Sequence, residues 1–191
     1  MIKLHLGCGP VYLDGYINID IKIDDYTWLK EERPDILDYN RTTLDKYYKY
    51  DYYKRKHNLA VVDEFMDITE IPYNYNNVDE ILIINTFEHF NRYESVKLLE
   101  EWYRLLKKGG KLIIGGIPDL EGTIDLLKRE ENEEWVISLI YGSQKNNFAY
   151  HKWGYTFEYL KDICLEIGFR NIKQISIIEH AYPTFNIEMT K

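Results

Sequence analysis

Apolar residues along this chain recur in two rhythms. Short β-branched runs predict strands over residues 2–6, 16–21, 60–65, 80–85, 111–116, 172–178 and 185–190. Between them lie longer stretches with apolar positions every three or four residues. Val96, Leu99, Trp102 and Leu106 mark one such helical face. Asn91 and Glu94 have the spacing of a capping box at its start. Lys107-Lys108-Gly109-Gly110 sets cations and a glycine stop at its end. Phe157, Leu160, Ile163, Cys164 and Ile167 define a second helical face, opened by Thr156 and closed by Gly168. A third helix is predicted across much of 120–141, through Leu127, Trp135 and Ile140. Strands alternating with helices predict an α/β fold around one mostly parallel sheet.

Segment 28–59 departs from this rhythm. It is long, aromatic and charged, and 46–56 carries five cations and five tyrosines around Asp51. It is expected to hold a helix between the second and third strands plus an insertion or lid. Tyrosines beside cations can stack sugars and meet phosphates, and a dimer arm would look the same, so a homodimer is one expected assembly. The chain is rich in Tyr, with 18, and also in Ile, Lys and Asn. All four use A/T-rich codons, so base composition accounts for part of that excess.

A length of 191 residues fits one domain, and 1–191 is read as such. Apolar residues make up 45% and charged residues 29%, which excludes wholesale disorder. No apolar run approaches a membrane span, and the start of the chain does not read as a secretory signal. Cys8 and Cys164 cannot form a disulfide framework or a zinc site, so a reducing cytoplasm is expected and no metal-ligand set is read. A net charge of −8 argues against nucleic acid as a partner.

The candidate chemistry starts at Leu6-Gly7-Cys8-Gly9. Glycines directly after a first strand let the backbone turn tightly and approach a ligand at the carboxyl edge of the sheet. Asp20 ends the second strand, where a carboxylate can accept both hydroxyls of a ribose. Asp67-Ile68 follows the third strand, where it can meet an adenine edge. Val78 to Phe90 (VDEILIINTFEHF) and Leu105 to Ile114 (LLKKGGKLII) complete the set.

Taken in order, LGCG at 6–9, NID at 18–20, DITEIP at 67–72, VDEI…FEHF at 78–90 and LLKKGGKLII at 105–114 resemble the class I S-adenosylmethionine-dependent methyltransferases. The likeness spans nearly the whole chain. It is nearest to the small subset found in polysaccharide and glycan gene clusters, which shares the late pattern Tyr141-Gly142-Ser143-Gln144…His151…Thr156…Leu160…Gly168-Phe169. The resemblance implies a Rossmann-like sheet of seven strands, the last antiparallel, with helices on both faces. It also implies S-adenosylmethionine as cofactor. Gly7, Cys8 and Gly9 would line its methionine portion, Asp20 would hold the ribose, Asp67 and Ile68 would flank the adenine, and Asn85 would face the methionine amine through its carbonyl. Three features depart from the pattern. His5 stands where many relatives carry an acidic residue, Val11 or Tyr12 replaces a third glycine, and the gap from Gly9 to Asp20 is too short for a full helix.

Methyl transfer from a sulfonium needs positioning, and a hydroxyl acceptor needs its proton removed as it attacks. His151 is the first candidate for that base and His89 the second. Asp119 could bind substrate or cap a helix, and Tyr141 and Gln144 could contact an acceptor. The expected reaction is O-methylation of a sugar or other small polar acceptor. Three rivals are weighed. An NAD-dependent oxidoreductase would want a third glycine and a longer spacing to the acidic residue. A nucleic-acid methyltransferase would want an amino-methylation motif where Asn85-Thr86-Phe87-Glu88 stands. A non-catalytic cofactor-binding protein would keep the same fold.

Overall fold

The computed structural model describes residues 1–47, 57–129, 132–178 and 180–191. Its strands are β1 (Lys3–Leu6), β2 (Tyr12–Leu13), β3 (Ile17–Asp20), β4 (Thr27–Leu29), β5 (Arg41–Thr42), β6 (Ala60–Val62), β7 (Glu64–Phe65), β8 (Val78–Ile84), β9 (Leu106–Pro118), β10 (Arg170–Gln174) and β11 (Thr184–Thr190). Its helices are α1 (Pro34–Asn40), α2 (Leu44–Tyr47), α3 (Arg92–Leu105), α4 (Leu120–Leu127), α5 (Glu133–Tyr141) and α6 (Phe157–Ile167). Phe87–His89 forms a single 3₁₀ turn.

Seven strands make one sheet in the order β10-β11-β9-β8-β1-β3-β7. Pairing is parallel from β9 through β7, and β11 runs antiparallel to both β9 and β10. This is the seven-stranded, mostly parallel α/β sheet expected, with its last strand reversed. The order turns back at β1, which lies between β8 and β3. Ligands of open α/β sheets bind at such a switch point, beyond the strands' carboxyl ends.

Alternation along the central strands divides the core. Leu4, Leu6, Ile81, Ile83, Leu112 and Ile114 point to one face, against Leu98, Leu99, Trp102 and Leu105 of α3 and Leu160 and Cys164 of α6. Leu82, Ile84 and Ile113 point to the other, against Val11, Leu13, Tyr16, Tyr47 and Ile178. The β1–β3 connection contains β2 and no helix, so one turn of α2 and irregular chain meet that second face. His5 points there too. It is fully buried, its ring 5.6 Å from that of Tyr47, and its Nδ1 lies 3.1 Å from Asn18 Oδ1.

Helix ends follow the local chemistry. Asn91 and Glu94 form the reciprocal capping box of α3. Thr156 caps α6, and Gly168 follows it with a φ of 125°.

Four predicted boundaries are corrected. Residues 60–65 split into β6, paired with β4, and β7, on the edge of the main sheet, because Asp63 between them is held in a polar network. That carboxylate accepts from Tyr12 Oη, Lys30 Nζ and the backbone N–H of Asn18 at 2.6–2.8 Å. The helix over 120–141 is two helices, each with its own side-chain cap, Asp119 and Asn132. Lys107 and Lys108 belong to β9 rather than to the end of α3, and Lys107 Nζ reaches Asp79 at 2.8 Å. The strand over 172–178 stops at Gln174, and Ile178 turns back so that its carbonyl accepts from Asn186.

Segment 28–59 contains the end of β4, then α1, β5 and α2. The expected lid or dimer arm centred on 46–56 lies largely outside the described residues.

Candidate active site

The loop after β1 is shaped by two close approaches. Gly7 has a φ of 61°, and a β-carbon there would stand 2.6 Å from Thr86 Cγ2. Only glycine meets both the left-handed backbone and the contact. Gly9 donates its N–H to Asp20 Oδ2 at 2.7 Å, and Ile21 donates to Oδ1 at 2.8 Å. Asp20 thus ties the end of β3 to the glycine turn. Burial raises its pKa, and the two N–H donors pull against that rise. Each carboxylate oxygen keeps further acceptor capacity.

Beyond Gly7 and Asp20 opens a cleft of about 390 Å³, also bordered by Asp67, Ile68 and Thr86. Asp67 accepts from the backbone N–H and hydroxyl of Thr69, which fixes the turn after β7. Four of the seven cofactor residues inferred from sequence, Gly7, Asp20, Asp67 and Ile68, therefore border one cleft at the switch point.

The other three do not border it. Cys8 is buried, and its thiol is pushed far up by burial first and then by the charges of Asp20 and Asp63, so it stays neutral. Gly9 acts through its N–H to Asp20. Asn85 sits at a φ of 50° with its side chain turned toward Gly116, and its Oδ1 lies 3.0 Å from His180 Nε2. Thr86 borders the cleft in its place, its hydroxyl donating to the carbonyl of Ile84 at 2.9 Å.

His89 and His151, far apart in sequence, meet with ring centroids 5.0 Å apart. His89 borders the cleft, and its Nδ1 lies 2.8 Å from the carbonyl of Tyr150. His151 sits behind it, with Nδ1 2.9 Å from the carbonyl of Leu139. Burial first, then His89, lowers the His151 pKa to about 4. Glu88 Oε1 is 4.0 Å from His151 Nε2, and burial raises the Glu88 pKa. The loop from Gly142 to Tyr155 is stitched to the sheet edge here: Lys152 donates its N–H to the carbonyl of Glu88, and Leu120 donates to that of Tyr155.

Glu88 is the residue that sequence reasoning overlooked. Its signal was its place beside His89 in a segment running straight out of a buried strand. Asp119 caps α4 through the N–H of Gly122. The backbone of Tyr141 accepts from His151, and that of Gln144 donates to Ala149; neither residue borders the cleft.

Residues 37–114 match a family model described as a methyltransferase domain. No curated protein matches the chain significantly. The fold is that of S-adenosylmethionine-dependent methyltransferases of known structure. One, from Thermotoga maritima and titled a possible histamine N-methyltransferase, shares 18% identity over 100% of this chain and 81% of its own, with a TM-score of 0.52. A putative O-methyltransferase from Nostoc punctiforme shares 15% identity over 100% of this chain and 52% of its own, with a TM-score of 0.56. Human N-acetylserotonin methyltransferase, solved with S-adenosylmethionine, shares 14% over 100% of this chain and 47% of its own, with a TM-score of 0.52. The chain thus spans about half the length of the latter two. The family model matches less than half of the chain, and the solved structures share its fold. Among the described residues no helix is long and apolar enough to cross a membrane.

Proposed function

We propose that this protein is an S-adenosylmethionine-dependent methyltransferase acting on oxygen of a sugar or other small polar acceptor. The observation that carries the reading is the convergence of Gly7, Asp20, Asp67 and Ile68 on one cleft at the switch point of the sheet. Its volume of about 390 Å³ lies within the range of cofactor sites. When bound, the cofactor supplies an activated methyl group on sulfur.

The chain's own residues then have distinct tasks. Gly7 allows close approach of the backbone. Asp20 offers its remaining lone pairs to vicinal hydroxyls, and Asp67 with Ile68 gives a polar edge and an apolar face to a flat base. The histidines proposed to activate the acceptor differ in place: His89 borders the cleft and His151 backs it. The polar groups of Glu94, Asn147 and Lys152 and the exposed ring of Phe148 border the same cleft. Hydrogen-bonding groups beside an aromatic face suit a hydroxyl-rich acceptor better than an apolar one. Cys8 and Cys164 are both free, in keeping with work in a reducing cytoplasm.

The test is transfer of labelled methyl from S-adenosylmethionine to a panel of sugars, sugar nucleotides, amines and phenols. Label on a sugar hydroxyl, lost in Asp20→Ala, is the expected result. Label on an amine alone would replace the acceptor class. Cofactor binding with no transfer to any member would favour a binding protein instead.

A further inference from the structure

Glu88, His89 and His151 bring together three Lewis bases from distant parts of the chain. Each histidine holds its Nδ1 against a backbone carbonyl, that of Tyr150 at 2.8 Å for His89 and that of Leu139 at 2.9 Å for His151. A carbonyl only accepts, so each Nδ1 carries a proton, and in the neutral form of each ring Nε2 keeps a lone pair. The carboxylate of Glu88 is the third base. It is 4% exposed, and its Oε2 has no hydrogen-bond partner among the described residues. Its Oε1 lies 4.0 Å from His151 Nε2, too far for a direct hydrogen bond. One donor atom from each of the three residues falls within 4.8 Å of the others.

We propose that Glu88, His89 and His151 form a binding site for a divalent first-row metal ion, with Zn²⁺ as the fitting occupant. Two neutral imidazoles and one carboxylate are a known set for zinc with an open position. Mg²⁺ and Ca²⁺ prefer oxygen donors throughout. Backbone carbonyls on the far nitrogens are the outer contacts that orient ligating histidines. The placement gives the ion two surroundings. Glu88 and His151 border a cavity of about 10 Å³, room for one water-sized species, which Thr123 also lines with a hydroxyl that has no partner among the described residues. His89 borders the cleft. A bound ion would thus have its back in the protein and an open position toward the acceptor. There it would lower the pKa of a coordinated hydroxyl. That catalytic use rests on the proposed methyl transfer; the binding itself does not.

The test uses tag-free full-length protein, stripped with chelator and shown folded by circular dichroism. It is titrated with Zn²⁺ by calorimetry and with Co²⁺ by visible absorption. One equivalent of each is expected, with Co²⁺ giving the intense d–d bands of a low-coordinate nitrogen–oxygen site. His89→Ala and Glu88→Gln should each weaken uptake about 10-fold or more. His89 is partly exposed, so its variant keeps the test open should the buried Glu88 variant fail to fold. Lack of uptake by folded wild-type protein, or uptake unchanged in His89→Ala, would overturn the site and leave a proton shared among the three groups as its occupant. Binding of S-adenosylhomocysteine, measured on the same samples, separates the outcomes. Cofactor binding without metal uptake sinks only the metal site, and metal uptake without cofactor binding sinks only the methyltransferase reading.

Discussion

Thr86 occupies the space in which any side chain at position 7 would begin. A β-carbon on Gly7 would lie 2.6 Å from Thr86 Cγ2 and 2.8 Å from its hydroxyl oxygen. The carboxyl end of β8 is thereby locked against the turn after β1, and that junction forms one wall of the cleft. Gly7→Ala should cost about 2–4 kcal/mol, from the left-handed backbone and the overlap together. Adding Thr86→Ser removes the methyl contact and should recover part of the loss, while the backbone strain remains. Thermal or urea unfolding of wild type and the two variants checks this. A double variant no more stable than Gly7→Ala would show that the methyl contact is not the cause.

His5 predicts a pH dependence of stability. Burial lowers its pKa from 6.5 to about 4, with the Asn18 hydrogen bond pulling the other way. In the unfolded chain it binds a proton near pH 6.5, and in the folded chain only near pH 4. The stability contributed by the neutral ring is therefore present above about pH 6.5 and is lost as pH falls toward 4. The total at stake is on the order of 3 kcal/mol. Chemical denaturation of wild type and His5→Gln between pH 7 and 4 should show the variant with the shallower fall. Parallel slopes would contradict the assignment.

Asp119 is predicted to act as a helix cap and not as a substrate ligand. Asp119→Ala should cost about 1 kcal/mol of stability. Asp119→Asn keeps an accepting oxygen for Gly122 and should be near neutral in stability and in methyl transfer. A large loss of transfer in a stably folded Asp119→Asn would return this residue to the acceptor site.

Much of this architecture is legible in the sequence because it is local. The capping box at Asn91 and Glu94, the glycine after α6 and the alternation through Ile81–Ile84 depend on residues close in sequence. Misses arise where distant groups decide. Asp63 breaks one expected strand because Tyr12, Lys30 and Asn18 converge on it. Asn85 lies one residue past the end of β8, and its side chain packs toward His180, a partner 95 residues away in sequence. The two histidines were readable as candidates, but their meeting was not, because it depends on the loop that returns from α5. Glu88 was hidden by its neighbour: a buried carboxylate beside a histidine looks in sequence like a surface helix start.

The Tyr155 hydroxyl tests that return path. It donates to Ser95 Oγ at 2.7 Å inside the core, joining the end of the loop to the first turn of α3. Tyr155→Phe keeps the ring contact with Phe87 and loses one buried hydrogen bond, for about 1 kcal/mol. Methyl transfer at saturating cofactor should survive if the protein stays folded. A change well under that size, measured by denaturation, would show that the bond does not hold the loop.

The measurement that bears most directly on the central claim is calorimetric titration with S-adenosylmethionine and S-adenosylhomocysteine, with NAD as control, on wild type and Asp20→Ala. Binding of both sulfur compounds, no binding of NAD, and a loss of about tenfold or more in Asp20→Ala are predicted, because a charged acceptor of paired hydroxyls would be gone. Folded wild-type protein that binds neither sulfur compound, or an Asp20→Ala variant that binds them unchanged, would contradict the account.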